Sequence, residues 1–191
     1  GTEESHGYLT GSFVRDKDAA SAALLMCECA AEQKAQGKTV REYLDDIYRE
    51  FGYFSEIQES TYREGAQGSQ EIAQIMAGLR KTPPTQIGGH EVVEIIDRQT
   101  GEARHSKTDS PRTVEGDKGN VLVFTFTDSG HTRVTARPSG TEPKIKYYVS
   151  ATSADHSELV LENLEQTKAG VDRLAREIID GMLEVADGVL A

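Results

Sequence analysis

The chain has few cysteines, few prolines, no long apolar run and too little positive charge to balance its acids. Its two cysteines, Cys27 and Cys29, sit two apart in an Ala/Leu-rich stretch that reads as helix. Helical geometry turns such residues away from each other, so they are not expected to pair. With no His or further Cys nearby they make no zinc site either. The expectation is two buried or inert thiols in a reducing cytoplasm. No apolar run approaches the ~18 residues of a membrane span, and the start shows no signal-peptide pattern. Basic residues number 21 against 32 acidic, a formal net charge of −11. This excludes a global attraction for nucleic acid or an anionic membrane, and any anionic ligand needs a local cluster of cations. Only five of the 191 residues are proline, and there is no internal repeat or low-complexity tract. What remains is a globular chain of one large domain or two small ones. It opens at Gly1, without Met, on the loop-like "GTEESHGY", and is expected to be a piece of something longer.

Periodicity divides the chain. "DKDAASAALLMCECAAEQKAQG" places Ala20, Leu24, Cys27 and Ala31 on one helical face, with Gly37 as a stop. Thr39 and Glu42 form a capping-box pattern, and Val40, Leu44, Ile47 and Phe51 continue at helical spacing. Two helices are therefore predicted over roughly 17–51. "YFSEIQESTYR" alternates as a strand, and the Gly/Gln/Ser stretch at 65–70 marks a boundary. A short helix carrying Ile72, Ile75, Met76 and Leu79 ends at Pro83 and Pro84. "HEVVEIID" reads as a strand, 98–120 as a polar excursion with no clear element, and "VLVFTFT", "TRVTAR" and "IKYYVSA" as three more strands. From Asp155 onward Leu164, Val171, Leu174, Ile178, Met182 and Val185 trace the face of a long last helix, with Asp155 and Glu158 capping its start. The prediction is an α+β domain at 65–191, a four-stranded antiparallel sheet with flanking helices. Before it, residues 1–64 form a partial α/β domain with two helices and one strand, too little for a sealed core of its own.

Between two of the predicted strands lies "RPSGTEPK", residues 137–144. Arg137 ends a strand, where a guanidinium can give a phosphate two parallel hydrogen bonds. Ser139 and Thr141 supply hydroxyls on a loop stiffened by Pro138. Gly140 lets backbone N–H groups approach an anion. Lys144 and Lys146 add positive potential, and Glu142 is expected to point away or pair with a lysine. Ser, Gly and Thr are also common in plain turns, so on residue chemistry alone both a solvated hairpin loop and a phosphate site stand.

"RPSGTEPK" resembles the phosphate-binding loop in the C-terminal domain of the phosphohexomutase superfamily, which includes phosphoglucomutases, phosphomannomutases and phosphopentomutases. "EES" in "GTEESHGY" is similar to the sugar-binding loop of that family's third domain, and "FVRDKDA" to the segment after it. The motifs come in the family's order, cover nearly the whole chain, and look most like the longer bacterial phosphoglucomutase/phosphomannomutase type.

The resemblance implies a four-domain enzyme of the cytoplasm that interconverts hexose 1-phosphate and hexose 6-phosphate. A phosphoserine of the first domain donates the phosphoryl group, a bisphosphate intermediate turns round in the cleft, and an aspartate-rich loop of the second domain holds Mg²⁺. A glucose 1,6-bisphosphate-type activator goes with that chemistry. Carried over by residue, Glu3 and Ser5 would bind the sugar hydroxyls. Lys17 would lie near the transferred group, as a possible catalytic residue that stabilises charge or aids proton transfer. Arg137, Ser139, Gly140 and Thr141 would hold the phosphate that is not transferred.

The sequence also departs from the family. Some relatives carry a histidine after a glycine in the sugar loop, whereas here the order is His6 then Gly7, so His6 receives no sugar contact. No Ser-His-Asn-Pro and no Asp-x-Asp-x-Asp occurs. The donor and metal sites would belong to domains one and two of a parent chain, and this chain alone is expected to be inactive. Phosphosugar is the expected ligand, and self-association is expected through the part of domain three left bare. The competing expectation is a stand-alone, non-catalytic phosphosugar-binding or regulatory module.

Overall fold

A computed structural model describes residues 1–3, 7–12, 16–108, 110–156 and 163–191. The expectations for Ser5, His6 and Glu158 fall outside the described residues. The chain divides into two compact units, Gly1–Phe51 and Gly52–Ala191.

In the first unit, strands β1 (Thr2–Glu3) and β2 (Gly7–Tyr8) pair antiparallel. Helix α1 (Ala19–Ala35) is capped by Asp18, whose carboxylate accepts from the Ala20 N–H at 3.0 Å. Gly37, at φ 75°, ends it as predicted. Helix α2 (Val40–Phe51) starts on the predicted capping box. The Thr39 N–H donates to Glu42 Oε2 at 2.7 Å, and the Glu42 N–H donates to Thr39 Oγ1 at 3.1 Å. The expected buried stripe on α1 is not found. Its only buried residue is Gln33, and Leu24, Leu25 and Met26 are each more than half exposed. Cys27 is exposed and Cys29 half-buried, which corrects the first part of the expectation that the thiols are buried or inert, because α1 buries only Gln33.

The second unit holds a seven-stranded sheet, not the four strands predicted. Its strands are β3 (Phe54–Tyr62), β6 (Glu94–Asp97), β7 (Glu102–His105), β8 (Arg112–Thr113), β9 (Leu122–Thr125), β10 (Arg133–Pro138) and β11 (Lys144–Thr152). They lie in the order β3-β11-β10-β9-β6-β7-β8, with every neighbouring pair antiparallel. A separate small hairpin pairs β4 (Gln86–Ile87) with β5 (His90–Glu91). Three strands account for the difference. β3 pairs with β11 along its full length, so it belongs to this sheet and not with the helices before it. β7 and β8 occupy the excursion where no element was expected. β8 is the edge of the sheet and β7 its neighbour, both dressed in charge, and of their residues only Ala103 is buried.

Helices α3 (Gly65–Lys81) and α4 (Leu164–Gly188) complete the unit. Alternation along the strands sends Phe124, Val134, Ala136, Ile145, Tyr147, Val149 and Ala151 to one face of the sheet. There they form the core with Ile72, Ile75, Met76 and Leu79 of α3 and Val171, Ile178 and Met182 of α4. α3 begins at Gly65, inside the stretch expected to be a boundary. At Gly68 a Cβ would come within 2.0 Å of the Arg63 carbonyl oxygen, so only glycine fits that turn. The cap of α4 lies eight residues after the predicted Asp155, at Asn163, whose side chain accepts from the Glu165 N–H at 2.9 Å.

Asp155 does something else. With a side chain only 3% exposed, it accepts from Thr127 Oγ1 at 2.7 Å, Ser129 Oγ at 2.6 Å and the Thr132 N–H at 2.8 Å. It thereby binds the β9–β10 turn to the end of β11. Burial pushes its carboxyl up, but the hydrogen bonds from Ser129, Thr127 and Thr132 outweigh that and hold it below the ordinary value.

Candidate functional site

The expected phosphate residues all lie on the hairpin between β10 and β11. Arg137 stands on β10 directly across from Lys146 on β11, so both side chains leave the sheet on the face away from α3 and α4. Arg137 is exposed, and among the described residues no carboxylate or carbonyl engages its guanidinium. Its charge is therefore fully available. Its Cα is fixed by a ladder that runs on both sides of β10.

The loop is shaped by Ser139. The Ser139 N–H donates to the Lys144 carbonyl at 2.9 Å, closing the hairpin. Ser139 Oγ accepts from the N–H of Thr141 at 3.3 Å and of Glu142 at 3.2 Å. A hydroxyl has two acceptor positions and one proton. With both acceptor positions used inside the loop, the Ser139 O–H is left to donate, and the acceptor it meets within the loop is the Thr141 hydroxyl. The same two bonds correct part of the expected nest, because the N–H groups of Thr141 and Glu142 are already satisfied by the loop itself. Thr141 Oγ1 lies 3.5 Å from Ser139 Oγ, placing the two hydroxyls side by side. Gly140 does not have a positive φ, and a Cβ there would meet nothing within 4 Å. The loop's own backbone does not demand a glycine at that position.

Glu142 and Lys144 pair with each other at 2.5 Å. Lys144 Nζ also donates to Tyr62 Oη at 3.4 Å and sits 5.3 Å from the centre of that ring. Hydrogen bonding to Glu142 raises the Lys144 pKa, with Tyr62 adding to it and desolvation opposing. Lys144 is thus a clasp for the loop's carboxylate. Lys146, 5.7 Å from the Tyr148 ring, is the cation beside Arg137. Sequence reasoning missed Tyr62 and Arg63, whose N–H donates to the Pro143 carbonyl at 2.9 Å. Tyr62 ends β3 and Arg63 follows it, and the pairing of β3 with β11 was not foreseen.

The expected sugar and catalytic positions lie in the first unit. Glu3 pairs through its backbone with Gly7. The methylenes of Lys17 pack where a Gly7 side chain would be, 2.6 Å from the site of its Cβ, and the Asp18 N–H donates to the Tyr8 carbonyl at 2.9 Å. Lys17 and the Glu3–Gly7 hairpin, separate in sequence, are thereby neighbours. Among the described residues no group of three or more His, Cys, Asp or Glu is arranged to hold a metal ion. No helix among them is long and apolar enough to cross a membrane.

Comparison with known proteins gives matches along most of the chain. Residues 1–51 match the family model described as phosphoglucomutase/phosphomannomutase, alpha/beta/alpha domain III. Residues 27–167 match phosphoglucomutase/phosphomannomutase, C-terminal domain. A protein named phosphoglucomutase from Staphylococcus epidermidis is 39% identical over 164 residues, covering 86% of this chain and 29% of that protein. One of the same name from Staphylococcus aureus strain N315 is 40% identical over 157 residues, covering 82% of this chain and 28% of its own length. The chain thus spans less than a third of the curated relatives it matches.

Proposed function

The chain belongs to the phosphoglucomutase/phosphomannomutase family, and on that premise we propose that it forms the phosphosugar-holding part of a hexose phosphate mutase. The parent enzyme interconverts hexose 1-phosphate and hexose 6-phosphate through a phosphoserine and a bisphosphate intermediate. The relatives' name favours glucose phosphates as substrate. The carrying observation is the hairpin at 137–144, which offers an uncompensated guanidinium at Arg137 beside the mutually hydrogen-bonded hydroxyls of Ser139 and Thr141.

On this reading Arg137, Ser139 and Thr141 grip the phosphate that is not transferred. Gly140 leaves room for it, and Lys146 supplies a second positive charge. Glu3 and Ser5 bind the sugar hydroxyls in both orientations of the intermediate, and Lys17 stabilises charge near the transferred group. Mg²⁺ serves the phosphoryl transfer from ligands elsewhere in the parent chain, since the described residues here offer no ligand cluster for it. The experiment is steady-state kinetics of the parent protein with glucose 1-phosphate. Arg137→Ala should lower kcat/KM by about 30- to 1000-fold, the range for losing one partner of a buried charge pair. A loss under threefold would remove Arg137 from the site and the reading with it.

A further inference from the structure

β3 is the outermost strand of the seven-stranded sheet, and it pairs with β11 residue for residue over all nine positions, without a bulge. A strand bonded on one side turns alternate N–H and C=O groups outward. Among the described residues those groups of Phe54–Tyr62 have no backbone partner beyond β11. The opposite edge of the sheet is β8, a strand of only two residues. A short edge resists pairing with another chain, and β3 has neither that protection nor a proline or a lysine. Glu56 and Glu59 are its only charges, and Phe54 and Tyr62 leave 41% and 61% of their surface in water at its two ends.

The edge reads nearly the same in both directions. Laid antiparallel against a second copy, with Gln58 on a two-fold axis, "FSEIQESTY" sets Phe54 opposite Tyr62, Ser55 opposite Thr61, Glu56 opposite Ser60 and Ile57 opposite Glu59. Aromatic meets aromatic, hydroxyl meets hydroxyl, and no carboxylate faces another. All nine residues pair, each with a residue on its own side of the sheet. An axis at Glu59 would instead place that carboxylate opposite its own copy.

The charges fit the same register. On the face away from α3 and α4, Glu56 lies in line with Ser60 of the second copy and, one strand further, with the Lys146 that pairs with that serine. Two strand spacings are roughly 10 Å, and the serine between them is small enough for carboxylate and ammonium to approach over it. Glu56 Oε1 accepts from Ser150 Oγ at 2.7 Å, which leaves Oε2 for the cation.

We infer that β3 is a self-association edge, through which two copies of the chain join antiparallel about Gln58 into one continuous sheet.

The test is cross-linking of the 191-residue chain carrying Cys27→Ser and Cys29→Ser. The bis-thiol reagent is short enough to bridge only directly opposed residues, whose Cβ atoms lie about 4.5–5.5 Å apart. Gln58→Cys should give a covalent dimer by itself. Glu56→Cys and Ser60→Cys should not do so singly, because each stands four residues from its own copy, roughly 13 Å, but a mixture of the two should. Sedimentation reads the same axis through charge. Gln58→Glu should weaken self-association about threefold or more, and an equal amount of Gln58→Lys should restore it as a mixed dimer. Both measurements are made with Leu24→Glu and Leu25→Glu in place, which removes association through α1. No dimer from Gln58→Cys, equal cross-linking of all three single variants, or a mixture of Glu56→Cys with Ser60→Cys that stays monomeric would overturn the inference. So would undiminished association of Gln58→Glu, or no recovery with Gln58→Lys.

Discussion

At the scale of single residues, the loop separates what the fold needs from what a ligand needs. Gly140 occupies open space with no positive φ, so Gly140→Ala should leave the urea midpoint unchanged within error. It should still weaken phosphosugar binding by about tenfold, because the added methyl stands where the anion approaches. Equal binding by the variant would show that Gly140 is only a turn residue. Asp155 is the opposite case, a structural carboxylate with three donors. Asp155→Ala should cost about 2–4 kcal/mol of stability, the scale for stripping a buried hydrogen-bond network. The pH dependence follows from its lowered pKa. The folded state favours the charged form, so its contribution is complete above the ordinary value of 3.8 and fades as pH falls through the lower folded value. Urea midpoints of wild type and Asp155→Ala, well separated at pH 7, should converge toward pH 2. A gap independent of pH would mean that packing, not the charge, is what Asp155 supplies.

At the scale of elements, the joint between α4 and the β4–β5 hairpin has no spare room. A Cβ at Gly181 would lie 2.1 Å from the Gly88 nitrogen, a backbone atom that cannot swing aside. Gly181→Ala should therefore destabilise by about 3 kcal/mol, read as a lower urea midpoint, and a neutral variant would contradict that packing. The elements also show what was legible in the sequence. The capping box at Thr39–Glu42, the apolar face of α3, the strands β9, β10 and β11 and the run of α4 all announce themselves through local periodicity and cap chemistry. The hairpin loop at 137–144 was legible for the same reason, since Pro138 and Gly140 mark a turn and strands bound it on both sides. What failed was non-local. β7 and β8 are held by pairing rather than by apolar content, and β3 shows its true partner only through the ladder with β11. That error hid Tyr62 and Arg63 from the site. Asp155 looked like a cap because helix caps and turn anchors use the same side chain, and only the fold distinguishes the two.

At the scale of the whole molecule, the first unit leaves α1 and α2 exposing Leu24, Leu25, Met26, Leu44 and Phe51. Apolar residues exposed in such density invite association. The chain should sediment with concentration-dependent mass, and replacing Leu24 and Leu25 by Glu should reduce it. A strictly monomeric wild type would count against an interaction surface on these helices. Catalysis belongs to the same scale, because phosphoryl transfer needs a donor and a metal aligned on the bound sugar. A coupled assay of this chain alone with glucose 1-phosphate should show no turnover. The claim beneath all of this is that the hairpin at 137–144 holds the phosphate of a sugar phosphate, and an NMR titration of the chain with glucose 1-phosphate tests it most directly. The account predicts saturable shifts of the Gly140 and Thr141 amides that vanish in Arg137→Ala. Amides that stay unmoved at high ligand concentration, or that move equally in the variant, would contradict it.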